Sequence, residues 1–291
     1  MNKGIAAALS AYLAWGIIPI YWKTMESIPA YEIICHRIIW SLIFLIILLI
    51  LLKDWKWLKE VKANPRLFLT FILSATLISI NWLTYIWAVN SGYIVDASLG
   101  YFINPLVNVF LGVVFLRERL RLFQWLSIII AASGVLYLTM QFGQLPWIAL
   151  TLAFTFGLYG LIRKTAALNS IEGLSLEMAI LLIPAISALG FFSFKGAITV
   201  TSADIITKSF LVSTGVITAI PLLLFAYGAR RVTLTTLGLL QYTAPSMQLF
   251  VGIYIYDESF TVNHALGFGL IWISLFLYSM ESIIVNAKRK S

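Results

Sequence analysis

Residues 38–52 read IIWSLIFLIILLILL, fifteen positions with a single hydroxyl, on Ser41, and no charge. Such a stretch has no polar face to turn towards water, so it belongs inside a large core or dissolved in lipid. Ten runs of this kind can be marked, at 4–22, 31–52, 67–90, 97–116, 122–140, 145–162, 174–194, 209–229, 232–256 and 262–284. Each is close to the roughly 20 residues that a rise of 1.5 Å needs to cross a hydrocarbon core of about 30 Å. Composition decides between core and lipid: 61% of the residues are hydrophobic and only 11% charged, where soluble domains carry about 25% charged residues. The mean hydropathy is +0.95. The runs are continuous rather than alternating, which selects helices over barrel strands. The chain is therefore expected to be an all-α integral membrane protein with ten transmembrane helices and no soluble domain. The run at 4–22 lacks the small-residue cleavage pattern of a secretory signal and reads as a retained helix.

A net charge of +8 would suit nucleic acid, but its placement points elsewhere. With a cytoplasmic N-terminus, sixteen of the twenty Lys and Arg residues, Arg163 and Lys164 among them, fall on the cytoplasmic segments and three, Lys23, Lys195 and Lys208, on the other side. Arg37 lies within a run. This asymmetry is the positive-inside signature. It predicts two cytoplasmic termini, a lipid-bilayer environment and no nucleic-acid partner. Cys35 is the one cysteine, so no internal disulfide can form. The two histidines, His36 and His264, make no metal constellation. No nucleophile with its base and no phosphate-cradling loop appears, so an enzyme is not expected, and no filter-like loop suggests a channel.

The chain says some things twice. NPLVNVFLGVVFLRE from Asn104 and APSMQLFVGIYIYDE from Ala244 share a spacing, Pro105, Gly112, Glu118 against Pro245, Gly252, Glu258, at an offset of 140. ALSAYLAWGIIPIYWK from Ala8 matches ALTLAFTFGLYGLIRK from Ala149 at 141, pairing Gly16 with Gly157 and Lys23 with Lys164. Two units follow, 1–141 and 142–291, with five runs each. Five is odd, so the second unit enters the membrane upside down. Inverted five-helix repeats suit a secondary transporter, because exchanging the conformations of the halves moves a central site from one side to the other.

Candidate binding residues follow from polarity inside the runs. Tyr101, Asn104 and Asn108 share a helix face at i, i+3 and i+7, and Gln241 and Gln248 occupy the places equivalent to Tyr101 and Asn108. Pro105 and Pro245 free a carbonyl on each of these helices, tolerated in a membrane beside protein or a water-filled cavity; Gly112 and Gly252 would allow close crossing. The alternative is that these amides only tie helices together. At the start of the second run, Glu32, His36 and Trp40 share a face, with Arg37 beside it. Two arrangements stay open there: Glu32 snorkels to the headgroups with Arg37 pairing locally with Glu32 or Asp96, or Arg37 and His36 face a cavity and meet an anionic or zwitterionic solute, the guanidinium fork suiting a carboxylate. Asn81, Trp82 and Tyr85 on the third run and Tyr159 between Gly157 and Gly160 are further candidates, each with packing as its alternative. Glu177 is expected near the inner interface, and Glu118 and Glu258 are expected to cap their helices against charged or backbone groups.

The segments WGIIPIYWK, EIICHRIIWS, NWLTYIWAVN, ASLGYFINPLVNVFLGVVFLRERL, GLYGLIRK and TLGLLQYTAPS resemble the EamA family of the drug/metabolite transporter superfamily, most closely its RarD group. The resemblance covers essentially the whole chain. It implies ten transmembrane helices in two inverted EamA repeats, a bacterial inner membrane location, alternating access to a central cavity and no cofactor, with no fixed list of binding residues. The combined expectation is a secondary transporter that exports a small polar or amphipathic metabolite, a carboxylate-bearing solute above others. The alternatives are an exporter of neutral or cationic drug-like compounds and a non-transporting membrane enzyme or structural protein. A monomer and a homodimer fit equally.

Overall fold

The computed structural model describes residues 2–288 apart from 26, 54, 92, 141–145 and 257–261. Among the described residues there are twelve α-helices and no strand. They are α1 (Lys3–Lys23), α2 (Ala30–Leu52), α3 (Trp57–Ala63), α4 (Pro65–Asn90), α5 (Ile94–Leu116), α6 (Leu122–Met140), α7 (Trp147–Thr165), α8 (Ser170–Phe194), α9 (Ile205–Ala229), α10 (Leu234–Gln241), α11 (Thr243–Tyr256) and α12 (Val262–Lys288). Seven of them are long and apolar enough to cross a membrane by length and composition: α1, α2, α4, α5, α6, α8 and α9. In α2, Leu42, Leu45 and Leu49 are buried while Ile43, Ile46, Ile47 and Ile50 are exposed. A helix apolar on both its packed and its exposed face is stable only where the exposed face meets lipid.

Several boundaries depart from the sequence reading. The run at 232–256 is not one helix: α10 closes at Gln241, the Tyr242 N–H bonding back to the Leu239 and Leu240 carbonyls, and α11 restarts at Thr243. Pro245 cannot donate to the Gln241 carbonyl, so the helix ends one turn before it. Pro105, by contrast, sits inside an unbroken α5. The run at 145–162 becomes α7, which starts after Pro146 and reaches Thr165. A short α3 that none of the ten runs contains sits between α2 and α4.

Cross-bundle contacts sort the helix termini into two ends. At one, Gly4 meets Arg231 and Val232, Lys164 donates to the Ala229 and Val232 carbonyls, Arg230 donates to those of Ala166 and Leu168, and Arg121 pairs with Glu281. This is the basic end. At the opposite end, the Tyr21 hydroxyl reaches the Phe210 carbonyl, Tyr31 reaches that of Ala197, and Lys23 lies 4.3 Å from the Tyr256 ring centroid. Asn2, Asn169 and Thr233 cap helices starting at the basic end, and Asp204 caps α9 at the other.

The main packings pair α1 with α9, α10 and α11; α7 with α4 and α5; α2 with α8 and α9; α4 with α8; α5 with α10; and α6 with α12. The central core joins Tyr12, Leu45, Ile78, Leu111, Met178, Phe225 and Leu237. The α6–α12 pair leans on α5, Phe102 packing edge-on against Phe268 at 5.0 Å. Two glycines let helices close. A methyl on Gly157 would lie 2.8 Å from Val107 Cγ1, and one on Gly16 would collide with Met247.

Two carboxylates fasten the ends. Glu118 accepts from the Leu234 N–H at 2.5 Å, the Thr235 N–H at 3.0 Å and the Thr235 hydroxyl at 2.7 Å, capping α10 where the helix dipole favours an anion. Gly112 leaves room for it, since an added Cβ would lie 2.7 Å from its Oε2. Glu258 lies outside the described residues. At the opposite end, Glu32 accepts from the Val200 N–H at 2.8 Å and from the Thr199 N–H and hydroxyl at 3.0 and 2.9 Å. Glu32 is fully buried and spent on these bonds, which corrects the arrangement in which it snorkels and pairs with Arg37. Glu118→Ala removes three hydrogen bonds to a charged acceptor and is expected to destabilise the protein by about 2–3 kcal/mol, read as a lowered melting temperature in detergent.

Candidate functional site

A cavity of about 280 Å³ opens among α1, α2, α4, α5, α7, α9, α10 and α11. Its lining includes residues from the C-terminal halves of α1 and α4 (Pro19, Trp22, Trp82, Tyr85) and the N-terminal halves of α2 and α5 (Arg37, Gly100, Tyr101). It therefore occupies the half of the bundle towards the opposite end. Below it an aromatic cluster fills the interior. Trp15 packs on Tyr12, Phe156 and Phe225 at 5.7–5.8 Å, and Tyr159 stacks on Phe225 at 6.0 Å.

Arg37 is the one charged residue of the described lining. Its Nε–H donates to Thr218 Oγ1 at 3.0 Å, and its guanidinium lies 4.9 Å from the Trp22 ring and 4.5 Å from the Trp82 ring. Two indole faces and a hydroxyl hold the planar group without neutralising it. No carboxylate pairs with Arg37 among the described residues; the Asp96 side chain lies outside them. Its terminal nitrogens have no hydrogen-bond partner among the described residues. Tyr85 and Tyr101 sit nearby, ring to ring at 5.9 Å.

The amides act as ties and lining together. Asn81 Nδ2 donates to the Leu152 carbonyl and Thr155 Oγ1, Gln248 Nε2 to the Trp15 carbonyl, and Asn104 Nδ2 to the Ala153 carbonyl, while all three line the cavity. Asn108 Nδ2 bridges Gln241 Oε1 at 2.9 Å and Asn104 Oδ1 at 3.2 Å.

The cavity thus brings together Arg37, Asn81, Trp82 and Tyr85 with Tyr101, Asn104, Gln241 and Gln248. His36, Asn108 and Tyr159 are not in its lining. His36 is next to Arg37 in sequence and so about 100° round the helix from it; Asn108 and Tyr159 lie in the fully buried layer. Pro245 lines the cavity and Pro105 does not. Sequence reasoning missed Trp22 and Thr218. A hydroxyl inside an apolar helix was the available signal for Thr218, whose role depends on a residue 181 positions away.

Glu177 and Arg163 differ most from expectation. Glu177 is not at an interface; both side chains are fully buried and paired at 3.4 Å. Ser74 donates to the same carboxylate at 2.6 Å and Tyr159 at 3.3 Å. An acid this close to its helix start reads as interfacial in sequence, but α4 and α7 cover it.

Comparison with known proteins agrees with this architecture. The model of the EamA-like transporter family matches residues 2–140 and again 146–280. The uncharacterized transporter YojE of Bacillus subtilis strain 168 is 44% identical, covering 100% of this chain and 98% of its own. Protein RarD of Escherichia coli K12 is 40% identical over 99% of this chain and 97% of its own. The uncharacterized transporter PA0485 of Pseudomonas aeruginosa is 41% identical over 97% of this chain and 95% of its own. A solved crystal structure with 15% identity superposes at a TM-score of 0.73, covering 96% of this chain and 98% of the other, and so shares the fold.

Proposed function

The chain belongs to the EamA-like transporter family and is a multi-pass membrane protein, and from that premise we propose that it is a secondary transporter working by alternating access. It exports a small polar or amphipathic metabolite that carries a carboxylate. The carrying observation is Arg37: a cation held by Trp22, Trp82 and Thr218 inside a cavity, with its terminal nitrogens unused by the described residues. A carboxylate offers two parallel acceptors to that fork. Asn81, Gln241 and Gln248 would bond the polar remainder of the solute, and Trp82 and Tyr85 would cover its apolar part.

Ten crossings in two inverted repeats, 1–141 and 142–291, complete the reading, with α10 and α11 together making one crossing. Exchanging α1 with α7, α2 with α8, α4 with α9, α5 with α10–α11 and α6 with α12 returns the same main packings, which supports the repeat. So does the pair of close approaches Gly16–Met247 and Gly157–Val107, equivalent at an offset of 140 to 141. With the basic end cytoplasmic, both termini are inside, the membrane is the bacterial inner membrane, and the cavity faces outward. No acid lines the described cavity, which weighs against a cationic drug as the principal solute.

The test is a thermal-shift panel of carboxylates, amino acids, nucleotide sugars, cations and antibiotics on the purified protein. A bound solute at 100 times its Kd adds about 2.7 kcal/mol of stability. Stabilisation by carboxylates is expected; stabilisation by cations alone would reverse the assignment.

A further inference from the structure

The internal repeat gives residues of the cavity counterparts in the other half of the bundle. At the offsets of 140 to 141 that match the two halves, the lining residues Ile18, Trp22, Arg37, Tyr85 and Gln248 correspond to Tyr159, Arg163, Glu177, Phe225 and Asn108. None of these five counterparts is more than 1% exposed, and none lines the cavity. They are nevertheless contiguous. Tyr159 stacks on Phe225 at 6.0 Å, and Tyr159 and Arg163 both reach the Glu177 carboxylate, at 3.3 and 3.4 Å. A methyl on Gly160 would lie 3.3 Å from Phe225 and 3.7 Å from Asn108 Oδ1. The contacts correspond as well as the positions: Trp22 lies 4.9 Å from the Arg37 guanidinium, and Arg163 pairs with Glu177 at the same place in the second repeat. Burial satisfies the charges of that pair but not every polar atom around it. Arg163 Nη1 donates to Glu177 and Nη2 to the Ser170 carbonyl. Its Nε–H has no hydrogen-bond partner among the described residues, and the same is true of Asn108 Oδ1. A buried donor and a buried acceptor left unbonded are costly, and a second state in which both are met gives the reason for keeping them.

We propose that Asn108, Tyr159, Arg163, Glu177 and Phe225 line a second solute chamber, the counterpart of the open cavity, shut in this structure and reached from the basic end. The inference rests on the alternating-access reading: when the halves exchange conformations, the second repeat takes up the arrangement that the first has here. A solute carboxylate entering from the basic end then meets the Arg163 Nε–H, and Asn108 Oδ1 accepts from a donor on the polar remainder. The two cations offer complementary parts. Arg37 spends Nε on Thr218 and keeps its terminal nitrogens, whereas Arg163 spends its terminal nitrogens on Glu177 and Ser170 and keeps Nε. Glu177 is what allows the chamber to close empty, because a buried guanidinium needs a counter-charge.

The test is sided access to single cysteines in the full-length protein, in a Cys35→Ala background, with a membrane-impermeant sulfonated methanethiosulfonate applied to vesicles of either orientation. Asn108→Cys and Tyr159→Cys are expected to react from the basic end about tenfold or more faster than Met178→Cys. Met178 is as deeply buried, next to Glu177, but corresponds to Ile38, which is outside the cavity lining. Ile18→Cys, in the open cavity, is expected to react from the other side. Asn108→Cys removes little volume and covers the case in which Tyr159→Cys fails to fold. Carboxylates of the thermal-shift panel, added at the basic end, should slow the labelling of Asn108→Cys, and the cations of the panel should not. Reaction at Met178→Cys as fast as at the other two would mean that the basic end opens along another face, which overturns the chamber and leaves alternation standing. No reaction from the basic end at any of the three contradicts both. Labelling of Asn108→Cys that no carboxylate slows removes Arg163 from solute binding.

Discussion

Arg37→Ala is expected to weaken binding of a carboxylate solute by about 2–5 kcal/mol, on the order of 30- to 3,000-fold in Kd. Among the described residues the cation is held by a hydroxyl and two indole faces and by no acid, so an incoming carboxylate would supply the counter-charge that these residues do not. Arg37→Lys keeps the charge but loses the planar fork and the stacking between Trp22 and Trp82; a loss between that of alanine and wild type is expected. Thr218→Val frees the Nε–H and should cost less than Arg37→Ala, because the rings still hold the group. Titration of the purified variants by thermal shift or calorimetry gives the three ratios. Equal affinity in Arg37→Ala and wild type would remove the guanidinium from recognition.

The second large effect falls on stability. Arg163→Ala leaves the Glu177 carboxylate at 0% exposure with Ser74 and Tyr159 as donors and no cation. Breaking a buried pair by removing one partner costs about 3–5 kcal/mol. A strongly lowered melting temperature in detergent is expected at neutral pH. Replacing both partners, Arg163→Met with Glu177→Met, removes the uncompensated charge and should recover most of the loss. Recovery by the double variant separates a charge effect from a packing effect. A single variant as stable as wild type would mean that water reaches the carboxylate.

Much of the fold could be read from the chain because lipid imposes one rule throughout: every backbone group must be bonded within its own segment. That rule makes the stretch at 38–52 a helix whatever packs against it. It says nothing about where a helix breaks inside the bundle, and so the interruption at Tyr242 was not read from the run at 232–256, although Pro245 marks it. The cavity was partly legible. Arg37, Asn81, Tyr101 and Gln241 stood out because polar groups in apolar runs are costly and must be used. Thr218 and Trp22 did not, because a threonine or an indole in a membrane helix needs no special reason. Arg163 and Glu177 were misplaced for a related cause. Charges near helix ends ordinarily reach the interface, and only the covering of that end by Ser74, Tyr159 and Phe71 makes these interior. The partners of Glu177 span positions 74 to 163, and no local pattern joins them.

The most direct test of the account is net flux of a labelled carboxylate, chosen from the thermal-shift panel, into proteoliposomes holding the purified wild-type protein or Arg37→Ala. Saturable, protein-dependent flux is expected in the wild type, with loss of at least nine-tenths of it in Arg37→Ala (a tenfold drop corresponds to about 1.4 kcal/mol). Flux that does not saturate, or that is the same in both proteins, would contradict it.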